Sequence, residues 1–167
     1  LNAIQTKFPE ITSLNYIINV KVNDTIYDRE VKLWSGNPYI VEKLGEIKYQ
    51  IGPKSFFQTN TQQALKLFDV AVDFADLKLT DIVYDLYTGL GSIALYISDK
   101  VKQVIGIEEI PEAIDDALIN KTFNGITNAN FYAGDVRNIL NTDFVFQHEK
   151  PDVVITDPPR AGMHEDV

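Results

Sequence analysis

Hydrophobic and polar positions follow two different patterns along the chain. Residues 14–22 and 26–34 are rich in β-branched and aromatic residues and partly alternate, with Asn23-Asp24-Thr25 between them. This pattern predicts a β-hairpin. Segments 39–44 and 46–51, separated by a glycine, predict two further short strands. The N-terminal part of the chain is therefore expected to be a small antiparallel β-rich segment.

From about residue 58 the pattern changes to alternating helices and strands. Apolar segments that predict buried strands lie at 82–87, 103–108, 128–135 and 152–157. The predicted helices begin after a cap at Thr59 or Asn60, after Gly91, at Pro111 and after Asp135. Buried strands that alternate with helices imply a parallel sheet of βαβ units. We expect a β-rich segment over 1–54 and an α/β nucleotide-binding core over 55–167.

Composition limits the class of protein. The chain has 167 residues, 45% of them apolar, and a formal charge of −9. Such an acidic balance does not favour phosphate binding, so a role on nucleic acid needs a local basic face or further basic segments. The absence of cysteine excludes thiolate metal sites, iron–sulfur ligation and a cysteine nucleophile within the chain. We expect no metal, no membrane span and no secretory signal, and a cytoplasmic location by default.

The first candidate site is the turn after the strand at 82–87. Gly89 and Gly91 allow a sharp strand-to-helix turn and a close approach to a ligand, although a plain tight turn explains them equally well. Glu108 ends the next strand, 23 residues after Asp85. This is near the offset at which an acid binds ribose hydroxyls in such folds. The alternative is a solvated carboxylate, which is what we expect of Glu109.

Two further acids end the later strands. Asp135 could reach the amino group of an adenine, but the more common role at such a position is the N-cap of a helix. Asp157 begins Asp-Pro-Pro-Arg, in which the prolines fix the backbone and leave Asp157 facing the crevice. The alternative is a motif that only ends the strand, but an apolar strand ending in Asp-Pro-Pro is a stronger signal than the two glycines. In many enzymes that methylate exocyclic amines, an aromatic residue follows the two prolines of a similar motif and stacks on the target base. Arg160 takes that place here, which argues against amine methylation.

Gln58 and the two histidines have simpler explanations from sequence alone. Gln58 lies between two phenylalanines and a helix cap. The simpler interpretation is that the phenylalanines pack in the core and the next residues cap the helix. The functional alternative is that Gln58 reaches the ligand from outside the nucleotide fold. His148 and His164 have no partner pattern for a metal or for nucleophilic catalysis, and both are expected on the surface.

Four motifs taken together, in their order, carry a family resemblance. They are Gly52-Pro53-Lys54-Ser55-Phe56-Phe57-Gln58-Thr59-Asn60, Asp85-Leu86-Tyr87-Thr88-Gly89-Leu90-Gly91-Ser92, Gly106-Ile107-Glu108 and Asp157-Pro158-Pro159-Arg160-Ala161-Gly162. Over about residues 14–164 the chain resembles the RNA uracil-5-methyltransferases, which form 5-methyluridine in ribosomal or transfer RNA. The N-terminal part is most similar to the branch that acts on 23S ribosomal RNA.

The resemblance implies a fold, a cofactor and a set of site residues. The fold would be the Rossmann-like class I methyltransferase fold, incomplete at its C-terminus, and the cofactor S-adenosylmethionine, with S-adenosylhomocysteine as product. The expected cofactor-binding residues are Gln58, Tyr87, Gly89, Gly91, Ser92, Glu108, Asp135 and Asp157. Ser92 stands where relatives often have another small polar residue, and Thr88 where many have cysteine.

The resemblance also implies which chemistry lies outside the chain. Uracil C5 becomes nucleophilic when a cysteine thiolate adds at C6, and a general base then removes the C5 proton. In the family both groups follow Asp-Pro-Pro-Arg, so we expect the cysteine and a glutamate base beyond Val167. The chain alone would hold the methyl donor without turnover, and the full-length enzyme would bind RNA, ribosomal RNA ahead of tRNA. Its oligomeric state is left open.

Other hypotheses remain at this point. A tRNA-specific member or another class I methyltransferase would share the same cofactor site. A nicotinamide-dependent oxidoreductase also uses glycine turns and ribose-binding acids, but a third glycine is missing after Gly91. A non-catalytic nucleotide-binding module would explain the absence of cysteine. Binding of S-adenosylhomocysteine or of NADH, and a cysteine in the encoding gene beyond Val167, would distinguish these possibilities.

Overall fold

The structure is a computed structural model that describes residues 1–23, 25–160, 162–163, 165 and 167. The helices in these residues are α1 (Asn2–Lys7), α2 (Thr61–Ala75), α3 (Ser92–Ile97), α4 (Pro111–Phe123), α5 (Val136–Ile139) and α6 (Thr142–His148). The strands are β1 (Ser13–Tyr16), β2 (Lys32–Gly36), β3 (Ile40–Leu44), β4 (Ile47–Ile51), β5 (Ile82–Leu86), β6 (Gln103–Glu108), β7 (Ala129–Ala133) and β8 (Val153–Thr156).

The last four strands form one parallel sheet, as the alternation of strands and helices predicted. Their order is β7-β6-β5-β8, so the chain moves outward in one direction from β5 to β7 and then returns to the other side of β5. Such a reversal opens a crevice at the carboxyl ends of the strands on either side of the first strand. The ends of β5, β6 and β8 are therefore the place to look for a ligand site.

Both faces of the sheet are covered, which explains the continuous apolar sequence of its central strand. All five residues of β5 are buried. Because successive side chains point to opposite faces, Val83 packs in one cluster with residues of α2, α3 and α4, and Tyr84 packs in another with residues of α5 and α6. The burial on both sides is what a parallel sheet requires.

The helices begin where the capping residues predicted. Asn60 accepts a hydrogen bond from the Gln63 amide at 3.1 Å and so caps α2, and Pro111 is the first residue of α4. Helices α1 and α6 were not predicted, although the side chain of Asn141 caps α6 by accepting from the Phe144 amide at 2.9 Å. An asparagine is a preferred N-cap residue, so Asn141 is the signal in the sequence for the start of α6.

The two short strands predicted on either side of Gly45 are confirmed, and the hairpin predicted before them is wrong in extent. Strands β3 and β4 pair across Gly45, with Leu44 opposite Ile47. Strand β1 pairs with β2, but residues 17–23 and 25–31 are not strand, and the predicted turn includes Asp24, which lies outside the described residues. Val20 is 79% exposed, so alternation there has no buried face to align against.

Local polar contacts take the place of the missing strand pairing in this connection. The Asn19 side chain donates to the Asn23 carbonyl at 2.8 Å and accepts from the Lys21 amide at 3.0 Å. Side-chain bonds of this kind compete with a strand ladder. They explain why a segment of high β-propensity is irregular.

The β3–β4 hairpin packs into the same hydrophobic cluster as the sheet. Leu44, Tyr49 and Ile51 are buried in it together with residues of α2 and α3. The division of the chain at residues 54 and 55 stays a proposal. In the described part of the chain no helix is both long and apolar enough to cross a membrane, and no three metal-binding side chains cluster.

Candidate functional site

The turn after β5 is held against the neighbouring strand. The backbone amides of Tyr87 and Thr88 both donate to the carbonyl of Ile107 in β6, at 2.9 and 3.1 Å. Tyr87 has a φ of 67°, which is uncommon for a residue other than glycine. Backbone strain of this kind is concentrated at functional sites, and it supports the prediction that the end of β5 is one.

The two predicted glycines of this turn have different surroundings. At Gly89, with φ of 56°, an added Cβ would meet no atom within 4 Å, so its backbone borders open space. At Gly91, with φ of 85°, the Cβ would lie 3.1 Å from the Phe131 ring and 3.3 Å from Ala117. Gly89 thus leaves room for a ligand, whereas Gly91 allows α3 to pack closely against its neighbours.

Glu108 is fixed at the end of β6 by two backbone amides. One carboxylate oxygen accepts from the amide of Gly89 at 3.1 Å, and the other accepts from the amide of Ile110 at 3.0 Å. The side chain is half-buried, whereas Glu109 is exposed, as predicted. A carboxylate oxygen can accept more than one hydrogen bond, so Glu108 retains the capacity to bind a pair of hydroxyls beside the glycine turn.

Asp135 is the N-cap of α5, the more common of the two roles weighed for it. Its side chain accepts from the amide of Arg137 at 2.9 Å, and the Arg137 guanidinium pairs with the same carboxylate at 2.5 Å. It follows β7, one strand further from β5 than Glu108. A contact with an adenine amino group stays a prediction.

Asp157 stands directly after β8, on the other side of β5. Its backbone amide donates to the carbonyl of Leu86 at 3.4 Å, which aligns it with the end of β5, and its side chain is exposed. The amide of Gly162 donates to the carbonyl of Pro159 at 2.7 Å, so a turn follows the two prolines. Ala161 of this motif lies outside the described residues.

Asp85, the buried acid between these strand ends, had no predicted role. One of its carboxylate oxygens accepts from the Thr88 hydroxyl at 2.6 Å and from the Ala94 amide at 3.1 Å. The other has no hydrogen-bond partner among the described residues. An acid inside an otherwise apolar strand was the available signal, because burying a carboxylate has a cost that usually serves a purpose.

The pKa of Asp85 is raised by its burial and by the neighbouring acids. Burial raises the pKa of Asp85 to about 7, although the bonds from Thr88 and the Ala94 amide lower it. The charges of Asp157 and Glu108 raise this pKa further. Three carboxyl groups thus lie at or next to the ends of strands at one sheet edge, where the charges of Glu108 and Asp157 favour a positively charged ligand.

Gln58 and Ser92 lie on elements other than the strands of the parallel sheet. Gln58 is half-buried between Phe57 and the start of α2, and the Phe57 ring lies 5.3 Å from that of Tyr49. Ser92 is the first residue of α3, and its carbonyl accepts from the hydroxyl of Tyr49 at 2.8 Å. Their part in ligand binding stays a prediction.

His148 is less exposed than the surface position expected for it. His148 is half-buried, with its ring 4.4 Å from that of Phe144 and its Nδ1 atom 3.4 Å from the Tyr132 hydroxyl. Its imidazole packs with the rings of Phe144 and Tyr132, an arrangement that is favourable at this distance. His164 lies outside the described residues.

A sequence model of the tRNA (uracil-5-)-methyltransferase family matches residues 14–167. The chain belongs to this family. It is 56% identical over its whole length to a protein of Porphyromonas gingivalis and 53% identical to one of Bacteroides thetaiotaomicron, both described as uncharacterized RNA methyltransferases. It covers 36% and 37% of these proteins. The chain thus spans little more than a third of the length of the curated relatives it matches.

Solved structures support the same family and fold. The tRNA (uracil-54, C5)-methyltransferase of Pyrococcus abyssi, solved in complex with S-adenosyl-L-homocysteine, is 30% identical with a TM-score of 0.77. The match covers 97% of this chain and 38% of that one. Trm5b from the same organism is 19% identical with a TM-score of 0.60 over 83% of this chain and 41% of its own, a likeness of fold alone. The expected class I methyltransferase fold is confirmed.

Proposed function

We propose that this chain is the methyl-donor-binding part of an enzyme that converts uridine in RNA to 5-methyluridine. The observation that carries the proposal is the attachment of Glu108 to the amide of Gly89 at the carboxyl edge of the sheet. This is where a doubly wound fold binds the ribose of a nucleotide, at the side of its first strand. Family membership supplies the type of reaction.

The residues at this edge fit S-adenosylmethionine as the ligand. Glu108 offers acceptors for the two ribose hydroxyls, and the open space at Gly89 leaves room for the ligand beside the backbone. Glu108 and Asp157 supply negative charge, which suits a ligand that carries a sulfonium and an ammonium group. Asp135 is proposed to bind near the adenine. Gln58 and Tyr87 are proposed to contact the ligand as well.

The division of labour within the enzyme follows from the residues present. S-Adenosylmethionine supplies an activated methyl group when it is bound. The residues of this chain hold and orient the donor and add a negative field around it. The addition to uracil C6 needs a nucleophile such as a thiolate. The chain contains no cysteine, so we place the nucleophile and the C5 base elsewhere in the full-length protein, as the resemblance implies.

Ribosomal RNA is the proposed substrate, on the resemblance of the N-terminal part to the branch that acts on 23S RNA. Transfer RNA is the second candidate, because the structural relative with the TM-score of 0.77 is named a tRNA (uracil-54, C5)-methyltransferase. Transfer of a labelled methyl group to 23S ribosomal RNA and to tRNA transcripts distinguishes them. A cytoplasmic location, where both RNAs occur in bacteria, is part of the proposal.

Calorimetry with S-adenosylhomocysteine tests the cofactor site in the full-length protein. Glu108→Ala removes the ribose acceptor and is expected to weaken binding by at least about tenfold, the effect of a lost hydrogen bond to a charged group. Glu109→Ala is the matched control, because it removes the same charge from the neighbouring exposed position. No binding by the folded wild type, or equal binding by both variants, would refute the proposed site. A parallel titration with NADH is expected to show no binding.

A further inference from the structure

Helix α4 and strand β4 are joined by side chains that pair with backbone groups. The Asn120 side chain accepts from the amide of Gln50 at 2.7 Å and donates to its carbonyl at 3.3 Å. One turn further along the helix, the Asn124 side chain accepts from the amide of Lys48 at 2.9 Å and donates to its carbonyl at 2.7 Å. Each asparagine therefore pairs with both backbone groups of one residue, as a neighbouring strand would.

A third contact continues this series in the same direction. The hydroxyl of Ser55 donates to the carboxylate of Asp116 at 2.5 Å and accepts from the amide of Gly52 at 3.0 Å. Asp116 thus holds the backbone of Gly52 through Ser55. Four residues of helix rise by about 6 Å and two residues of strand by about 6.8 Å. The two spacings agree, so Asp116, Asn120 and Asn124 match Gly52, Gln50 and Lys48 step by step.

This series, which we call the α4 ladder, fixes one register of β4 on α4. Asn120 is fully buried, so a slip of β4 by one residue would leave its amide group unpaired in the core. An unpaired buried amide is costly, whereas apolar side chains could tolerate small shifts. The use of polar groups here therefore supplies positional precision in addition to stability.

The α4 ladder connects the segment that contains Gln58 to the elements that carry Glu108 and Gly89. It ends at Ser55, just before the segment that contains Gln58, and α4 begins two residues after Glu109. The hydroxyl of Tyr49 also ties β4 to the carbonyl of Ser92, at the start of the helix that follows the glycine turn. These contacts therefore fix the position of the segment from β4 to Gln58 relative to the elements that carry Glu108 and Gly89.

We propose that Asp116, Asn120 and Asn124 are positioning residues that set Gln58 against the methyl donor. The proposal rests on the proposed function, because it assumes that Gln58 contacts S-adenosylmethionine. The residues of the ladder do not touch the donor themselves. They act by holding the segment 52–58 in the one place from which Gln58 can reach it.

The test uses Asp116, because this residue is half-buried and its replacement spares the core. In the full-length protein, Asp116→Ala is expected to weaken S-adenosylhomocysteine binding about tenfold, with a fall in melting temperature of no more than about 4 °C. Asp116→Asn keeps an acceptor for Ser55 and is expected to restore binding to within about twofold. Asp115→Ala is the control, because it removes the same charge from the exposed neighbouring position on α4. Hydrogen exchange over residues 52–58 is expected to rise in Asp116→Ala alone.

A double-mutant cycle tests whether Asp116 acts through Gln58. If it does, Asp116→Ala has no further effect on affinity once Gln58 is replaced by alanine. Additive losses, equal weakening by Asp115→Ala, or wild-type binding by Asp116→Ala would each overturn the positioning role. If in those cases Glu108→Ala still loses affinity, the proposed donor site stands without the ladder. Failure of the wild type to bind overturns both proposals.

Discussion

The two strands that flank β5 form different walls of the candidate site. On the β6 side, Tyr87 and Thr88 are bonded to Ile107, and Glu108 is bonded to Gly89. On the β8 side, the backbone contact at Asp157 is 3.4 Å long and its side chain is exposed.

Position in the sheet explains this difference. Strand β6 is covered by β7 and by helices and has four fully buried residues, whereas β8 lies at the edge of the described sheet and Val154 is 50% exposed. Preorganised polar groups bind a ligand with little reorganisation. The β6 wall is therefore suited to hold the donor, and the β8 wall is accessible to a second reactant.

The largest expected effect concerns Asp85, which lies between the two walls. Its pKa is about 7 in the folded protein, against about 3.9 in an unfolded chain. Between these pH values the folded state keeps a proton that the unfolded state has lost. This carboxyl group therefore makes stability fall by roughly 4 kcal/mol as the pH rises from about 4 to about 7, with no further change above.

Replacement of Asp85 by asparagine removes this titration. The free energy of unfolding of Asp85→Asn, measured by urea denaturation of the full-length protein from pH 5 to pH 8, is expected to depend less on pH than that of the wild type. The two curves should diverge with rising pH, in favour of the variant. Parallel curves would show that the pKa of Asp85 is not raised in the folded protein, either by burial or by the acids of the two walls.

The second prediction concerns the open wall. Asp157→Ala in the full-length enzyme is expected to reduce methyl transfer to RNA about a hundredfold, the size seen when one preorganised electrostatic group is removed. Because Asp157 is exposed, the unfolding free energy should change by less than about 0.5 kcal/mol. Asp143→Ala, which removes an exposed acid of α6, is the control in the same assay. Wild-type rates for Asp157→Ala would mean that the open wall does not take part.

The third prediction concerns the packed wall. At Gly106 in β6 an added Cβ would lie 2.5 Å from the Phe131 ring and 3.0 Å from the Thr88 side chain. Gly106→Val is therefore expected to lower the free energy of unfolding by about 2 kcal/mol through overpacking. Val154→Thr on the exposed edge strand should change it by no more than about 0.5 kcal/mol. Equal effects, measured by chemical denaturation, would remove the distinction between the walls.

The same contrast explains how much the sequence could predict. Periodicity located β5 to β8, and parallel strands place their carboxyl ends at one edge, so Glu108 and Asp157 could be assigned to a common site in advance. The left-handed backbone of Tyr87 and the bond between Glu108 and Gly89 depend on the packed turn. They leave no signal in a pattern of apolar and polar residues.

Long-range contacts were the other part that the sequence could not supply. Asn120 and Gln50 are 70 residues apart, and nothing local distinguishes a helix asparagine that pairs with a strand from one that faces solvent. The predicted extent of the N-terminal hairpin was wrong for a related reason. Alternation over residues 14–22 indicates β-propensity, but propensity becomes a strand only where one face finds a core.

The smallest expected effect distinguishes the two glycines of the turn. Gly89 has φ of 56° and open space around it, so Gly89→Ala is expected to lower the unfolding free energy by only about 1 kcal/mol, the cost of a left-handed backbone for alanine. Its methyl group would occupy the ligand's side of the packed wall and weaken S-adenosylhomocysteine binding several-fold. Gly91→Ala, which meets Phe131 and Ala117, should have the opposite balance, with a larger loss of stability. Calorimetry and denaturation of both variants measure the two quantities, and equal affinities would place the donor away from Gly89.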